Sequence, residues 1–133
     1  MLEAPLFNSD PTAYLPHGNS FLFVDRVLSL ERGIRASGLK LVTHDPAGYP
    51  FVFLLESIAQ LAGIAVSGKK EEGGFLAAVD HAEFPGSVCP GDWLSITVNI
   101  VKSFGRLHLC EGEVTMGGRR VASAVLTLGV GTP

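Results

Sequence analysis

FVFLLESIAQLAGIAVS, running from Phe51 to Ser67, is the stretch that decides how the rest of the chain is read. It has no proline, and only four of its seventeen residues are polar. Apolar side chains fall on every side of its helical wheel, so a helix here is expected to be buried on nearly every face. The few polar groups therefore carry the information. Glu56 and Gln60 stand four residues apart and share a face, with Gly63 a turn further on as a point of close approach. A carboxylate in such a place costs several kcal/mol if it is left unpaired, and chains keep one mainly where it has a partner or a chemical task.

The flanking sequence predicts what surrounds that helix. Upstream, FLFVDRVLSLE and IRASGLKLV are rich in branched and aromatic residues, and Arg32-Gly33 between them marks a hairpin. Downstream, GFLAAVDHAEF, WLSITVNIVKSF, RLHLCEGEVTM and RRVASAVLTLGV read as four strands. Leu94, Ile96, Val98 and Ile100 alternate onto one face, and Gly117-Gly118 is a tight-hairpin signal. Before all of these, Met1 to Ser20 is an irregular lead-in with one helical turn around Asp10 to Tyr14, where Pro11 suits a first helical position. Pro50 likewise suits the first turn of the long helix. Gly68 is expected to end that helix, with KKEEGG solvated beyond it. The expected layout is α+β: two strands, a long central helix, then four strands, with an antiparallel sheet curved around the helix. One flank of such a helix stays open, and a second copy can cover it. This is the hot-dog architecture.

At 133 residues, 47% of them apolar and 17% charged, the chain makes one globular domain spanning residues 1–133. Its net charge of -3 and scattered basic residues offer no stripe for nucleic acid. The N-terminus lacks the basic start and apolar run of a secretory signal, and the helix is too short and too polar at Glu56 and Gln60 for a membrane span. These features predict a cytoplasmic protein without a membrane partner. Cys89 and Cys110 have no zinc spacing, and no glycine-rich phosphate cradle follows a strand. No metal or cofactor is expected beyond a carrier's own pantetheine.

Taken in order, LPHGNSFLFVDRVLSLE, LKLVT, FLLESIAQLAG, FLAAVDHAEFPGSVCPGDWL and RRVASAVLTLGV resemble the 3-hydroxyacyl-[acyl carrier protein] dehydratases of bacterial fatty-acid synthesis, over roughly residues 15–130. The resemblance implies a hot-dog homodimer or a trimer of dimers, taking acyl carrier protein or coenzyme A thioesters into tunnels at the dimer interface. In the family a helix Glu of one subunit works with a loop His of the other. Glu56 matches that Glu, and Gln60 matches the Gln after it. The matching His is absent. The family's Gly-His-Phe-Pro-Gly loop is replaced by HDPAGYP, residues 44–50, which is about ten residues shorter.

Dehydration of a 3-hydroxyacyl thioester needs a base for the α proton and an acid for the leaving hydroxyl. Glu56 suits the acid, and His17 or His44 of a partner subunit is the candidate base. Gln60 and Gly63 on the helix, with Pro50 and Phe51 at its start, are candidate substrate-binding positions, since backbone N–H groups there can polarise a carbonyl. Two other functions stay open. Glu56 and water suffice for a thioesterase, and a non-catalytic acyl-carrier partner needs no base at all. His81 and His108 are expected to be structural, and Asp92 to close the Pro90-Gly91 turn.

Overall fold

A computed structural model describes residues 7–14, 22–43, 48–66 and 74–130. The chain order is a 3-10 turn at Pro11–Ala13, β1 (Arg26–Glu31), β2 (Arg35–Leu41), α1 (Phe51–Val66), β3 (Gly74–Glu83), β4 (Trp93–Phe104), β5 (Leu107–Met116) and β6 (Arg119–Val130). Asp10 caps the 3-10 turn by accepting from the Thr12 backbone N–H at 2.9 Å. The six strands form one sheet in the order β1-β2-β4-β5-β6-β3, and every pairing is antiparallel. The expected order of elements is therefore present, with β1 starting at Arg26, five residues later than its apolar run suggests. The predicted helix end at Gly68, KKEEGG and most of the lead-in lie outside the described residues.

Alternation places the core. Leu94, Ile96 and Val98 of β4 face α1, as do Cys110 and Val114 of β5 and Ala122, Ala124, Leu126 and Leu128 of β6. From the helix, Leu54, Ile58, Leu61 and Ile64 enter this layer and are almost wholly buried. Each such side chain contributes about 1.5–3 kcal/mol of transfer free energy. Register slips between Ile100 and Lys102 of β4, and at two places along β3, are bulges that bend the sheet around the helix. Gly117 and Gly118 take φ of 57° and 82°, the left-handed pair that a two-residue hairpin needs between β5 and β6.

The helix packs tightly on the sheet at Gly112. A Cβ built on that residue would stand 2.5 Å from Ile58 Cγ2 and 3.0 Å from Val98 Cγ1. A glycine is needed because the space for its side chain is already filled.

Burial of α1 is not uniform. Phe51 and Val52 are 56% and 58% exposed, and Leu55, Glu56, Gly63 and Val66 are partly exposed. This is the flank expected to stay open, because a single sheet can cover only the side of the helix it wraps. The flank meets the sheet where Phe51 stacks on Phe84, just past the end of β3, an outer strand. Its Leu76 and Val79, each 41% exposed, pair with Leu128 and Leu126 and so point to the helix side.

Gly112→Ala is expected to destabilise the fold by about 1–3 kcal/mol, the usual cost of forcing extra carbon into a filled core. A urea titration would show it as a lower midpoint with an unchanged slope.

Candidate active site

The polar line on α1 is organised by the backbone of Phe23, in the segment leading into β1. The Phe23 N–H donates to Gln60 Oε1 at 2.8 Å. Because a backbone N–H can only donate, this contact fixes which way round the Gln60 amide lies. Its Nε2 is thereby turned to Glu56 and donates to Oε1 at 3.1 Å. Ser57 holds the other end of the residue, its Oγ donating to the Phe23 carbonyl at 2.7 Å and lying 3.1 Å from the Phe53 carbonyl. Gln60 and Ser57 are buried, whereas Glu56 is partly exposed. The carboxyl is thus held from the buried side and presented on the uncovered flank.

Val52, Glu56 and Gly63 fall on one stripe of that flank, at spacings of four and seven. Pro50 precedes the helix, and its carbonyl accepts from the Phe53 N–H at 3.0 Å. Phe51 stacks on Phe84 with centroids 5.2 Å apart. Further round, Phe53 packs on Phe23 at 4.6 Å and meets Tyr49 edge-on at 5.2 Å. Burial pushes the Tyr49 hydroxyl up to about 12, Asp25 adds to the rise and Ser57 pulls against it. Among the described residues no group stands in hydrogen-bond geometry to the buried Tyr49 Oη. The structure therefore brings Glu56, Gln60 and Gly63 together, with Pro50 and Phe51 at the head of the same helix. His17 and His44 lie outside the described residues.

The two described histidines have other partners. His81 is exposed, with Nε2 3.1 Å from Glu83 Oε1, and lines a cleft of about 300 Å3 with Thr97, Asn99, Glu111 and Arg120. His108 Nδ1 lies 2.7 Å from Ser103 Oγ, and partial burial lowers its pKa. Asp92 accepts from the Cys89 N–H at 2.7 Å and closes its turn. Cys89 is exposed, while Cys110 is wholly buried and its thiol is pushed up to about 11. Among the described residues no three His, Cys, Asp or Glu side chains gather as a metal site, and no helix is long and apolar enough to cross a membrane.

Sequence reasoning missed Ser57 and the pair Lys40–Asp25, whose atoms lie 3.4 Å apart. Lys40 had a readable signal. It alternates with Ala36, Gly38 and Val42 on the inward side of β2, where a charged residue is unexpected.

No family model matches the chain. Known proteins do. The 3-hydroxyacyl-[acyl-carrier-protein] dehydratase FabZ of Bacillus subtilis (strain 168) is 33% identical over 130 residues, spanning 88% of this chain and 92% of the relative. The FabZ dehydratase of Pelotomaculum thermopropionicum is 38% identical over 130 residues, spanning 87% and 92%. The chain belongs to the 3-hydroxyacyl-[acyl-carrier-protein] dehydratase family.

Among solved structures, the dehydratase heterocomplex ApeI:P of Xenorhabdus doucetiae shares the hot-dog fold of this family member at TM-score 0.82 and 18% identity, over 92% of this chain and 91% of that one. The smu.793 protein of Streptococcus mutans UA159, bound to acetyl CoA, matches at TM-score 0.66 and 19% identity over 78% and 86%. The dehydratase alignment also carries a length difference. In the B. subtilis comparison 88% of 133 residues is about 117, against 130 aligned positions, so about 13 positions of the relative face no residue here.

Ser57→Ala should cost about 1–3 kcal/mol, since it leaves the Phe23 carbonyl without its short side-chain donor, and a lower melting temperature would record this. With a thiol reagent in excess, the folded dehydratase homologue should react once per chain, at Cys89. Cys110 should follow only on unfolding.

Proposed function

We propose that the chain dehydrates 3-hydroxyacyl thioesters, with Glu56 as the proton donor. The observation carrying this reading is the Gln60-held carboxyl on the open flank of an otherwise apolar helix. Gln60 engages Oε1, which leaves Oε2 to face a substrate lying along the Val52, Glu56 and Gly63 stripe. In the reaction a base takes the proton from the carbon next to the thioester carbonyl. The electron pair forms the double bond, and the C–O bond at the third carbon breaks as Glu56 protonates the departing hydroxyl. The products are a 2-enoyl thioester and water, with no change in oxidation state.

The base in this proposal is His17 or His44 of a second copy, since His81 and His108 are engaged with Glu83 and Ser103. That arrangement requires a homodimer, which we place along β3. It would pair the outer strand, cover Leu76 and Val79, and close the flank that carries Phe51, Val52 and Glu56. The start of α1 near Pro50 and Phe51 would supply N–H groups to the thioester carbonyl. Acyl carrier protein is the proposed carrier, from the activity named for the relatives, and coenzyme A thioesters are the second choice; the proposed site of action is the cytoplasm.

A second reading rests on the roughly 13 relative positions that have no counterpart here. A chain that lost the family's base along with its loop would bind acyl thioesters without turning them over.

With 3-hydroxyacyl thioesters on acyl carrier protein and on coenzyme A, the protein is expected to form enoyl product. Glu56→Gln should cut kcat by about 10²–10⁴-fold while remaining folded, and His17→Ala or His44→Ala should give a comparable loss in whichever is the base. Formation of no enoyl product, or a Glu56→Gln form as active as the parent, would defeat the proposal. Tight acyl binding without turnover would establish the second reading instead, and release of free thiol would make the protein a thioesterase.

A further inference from the structure

Lys40 is a charged residue on the inward side of β2 and is only 8% exposed. Its Nζ lies 3.4 Å from Asp25 Oδ1 and 3.5 Å from the Leu22 carbonyl oxygen, and 5.9 Å from the centre of the Phe23 ring. Asp25 is itself fixed, since its Oδ2 accepts from the Leu41 N–H at 2.6 Å. Ordinary structural economy does not require this pair. Lys40 is buried while the Asp25 side chain is 39% exposed, and an ion pair with one partner open to water is a weak source of stability that an apolar residue at Lys40 could often replace.

The geometry of the next bond gives the pair a use. The Leu22 carbonyl and the Phe23 N–H are two ends of one peptide unit. Lys40 donates to the oxygen end, and Gln60 Oε1 accepts from the nitrogen end. A cation on the carbonyl polarises the peptide and makes its N–H a stronger donor, so the two contacts reinforce each other. The same peptide also has its plane set by these contacts. That N–H is what turns Gln60 Nε2 to Glu56. A continuous line therefore runs from Asp25 through Lys40, the 22–23 peptide and Gln60 to the Glu56 carboxyl. Ser57 steadies it by holding the Phe23 carbonyl.

We infer that Lys40 and Asp25 are positioning residues of the Glu56 site, acting through the Leu22–Phe23 peptide and Gln60 without touching substrate. The inference rests on the role proposed above for Glu56. It extends the site from the open flank of the helix to a charge pair beneath it on the sheet. Glu56 then depends for its orientation on a residue from the other layer of the fold.

The test replaces both members at once, Lys40→Met with Asp25→Asn, so that no unpaired buried charge remains and Asn keeps an acceptor for the Leu41 N–H. Two quantities are read, the kinetics on a 3-hydroxyacyl thioester and the side-chain amide resonances of Gln60 in an ¹⁵N spectrum. In the parent protein those two amide protons should be well dispersed and slow to exchange. In the double variant they should shift and exchange faster. kcat should fall by about tenfold or more, since a small displacement of a catalytic group is costly. KM should stay within about twofold, because ground-state binding is untouched.

Parent resonances that are averaged and fast-exchanging overturn the inference without any variant being made. A double variant with parent-like kcat and Gln60 signals overturns it as well, and reduces the pair to a structural one. If the parent turns over no thioester, the proposal for the reaction fails. The Gln60 resonances then still decide, on their own, whether Lys40 and Asp25 hold the Glu56 side chain.

Discussion

Helix α1 is too apolar to be left in water, and the rest of the fold follows from the need to cover it. Leu54, Ile58, Leu61 and Ile64 demand a continuous apolar surface, which a single sheet supplies only by curving. The bulges in β3 and β4 and the bare backbone at Gly112 are the local means of that curvature and close approach. A sheet curved this far still reaches only part of the way round a helix. The uncovered remainder is where Val52, Glu56 and Gly63 lie.

The same constraint explains why the polar residues of the helix are so few and so closely connected. In a layer this apolar, each polar side chain must find a partner nearby or bear the cost of desolvation. Ser57 and Gln60 find theirs on the Phe23 backbone, and Glu56 finds its own on Gln60. The backbone of Phe23 would otherwise be left with unsatisfied groups beneath the helix. Stability and orientation are met by the same three bonds. Glu56 differs from its neighbours in being bonded from the buried side and open on the other, as a group that exchanges protons with a bound molecule must be.

Much of the architecture was legible in the chain. The alternation of Leu94, Ile96, Val98 and Ile100, the Gly117-Gly118 turn and the length of the apolar helix are local signals with local physical causes, and each element stands where the pattern placed it. Glu56 and Gln60 were legible for the same reason, since a helix repeats every 3.6 residues wherever it sits. The start of β1 was not. FLFVDR has strand composition from Phe21, yet the backbone of Phe23 bonds to Gln60 and Ser57, partners 37 and 34 residues away in sequence. Composition reports the preference of a segment for extended backbone and cannot report which distant side chain claims its hydrogen bonds. Lys40 falls between these cases. Its inward register could be counted from the alternation, but its meaning depended on Asp25 and on a peptide whose position only the fold supplies.

An exposed strand edge and an uncovered helix flank are usually separate liabilities, met in different ways. Here they adjoin. β3 is an outer strand, Phe84 just beyond it stacks on Phe51 of the flank, and its Leu76 and Val79 stand exposed on the helix side of the sheet. A partner that covered only the flank would leave the edge amides in water, and one that paired only the edge would leave the helix wet. A second copy laid against β3 meets both needs, because the contact that extends the sheet also sets one helix beside the other. Under that geometry Glu56 passes from a half-wet surface into a slot bounded by two chains. There a substrate can be desolvated, and a group from the opposite chain can reach it. The proposed division, an acid held in one chain and a base supplied by the other, would then have a physical cause in the shape of the fold, since the sheet that positions Glu56 cannot also enclose it.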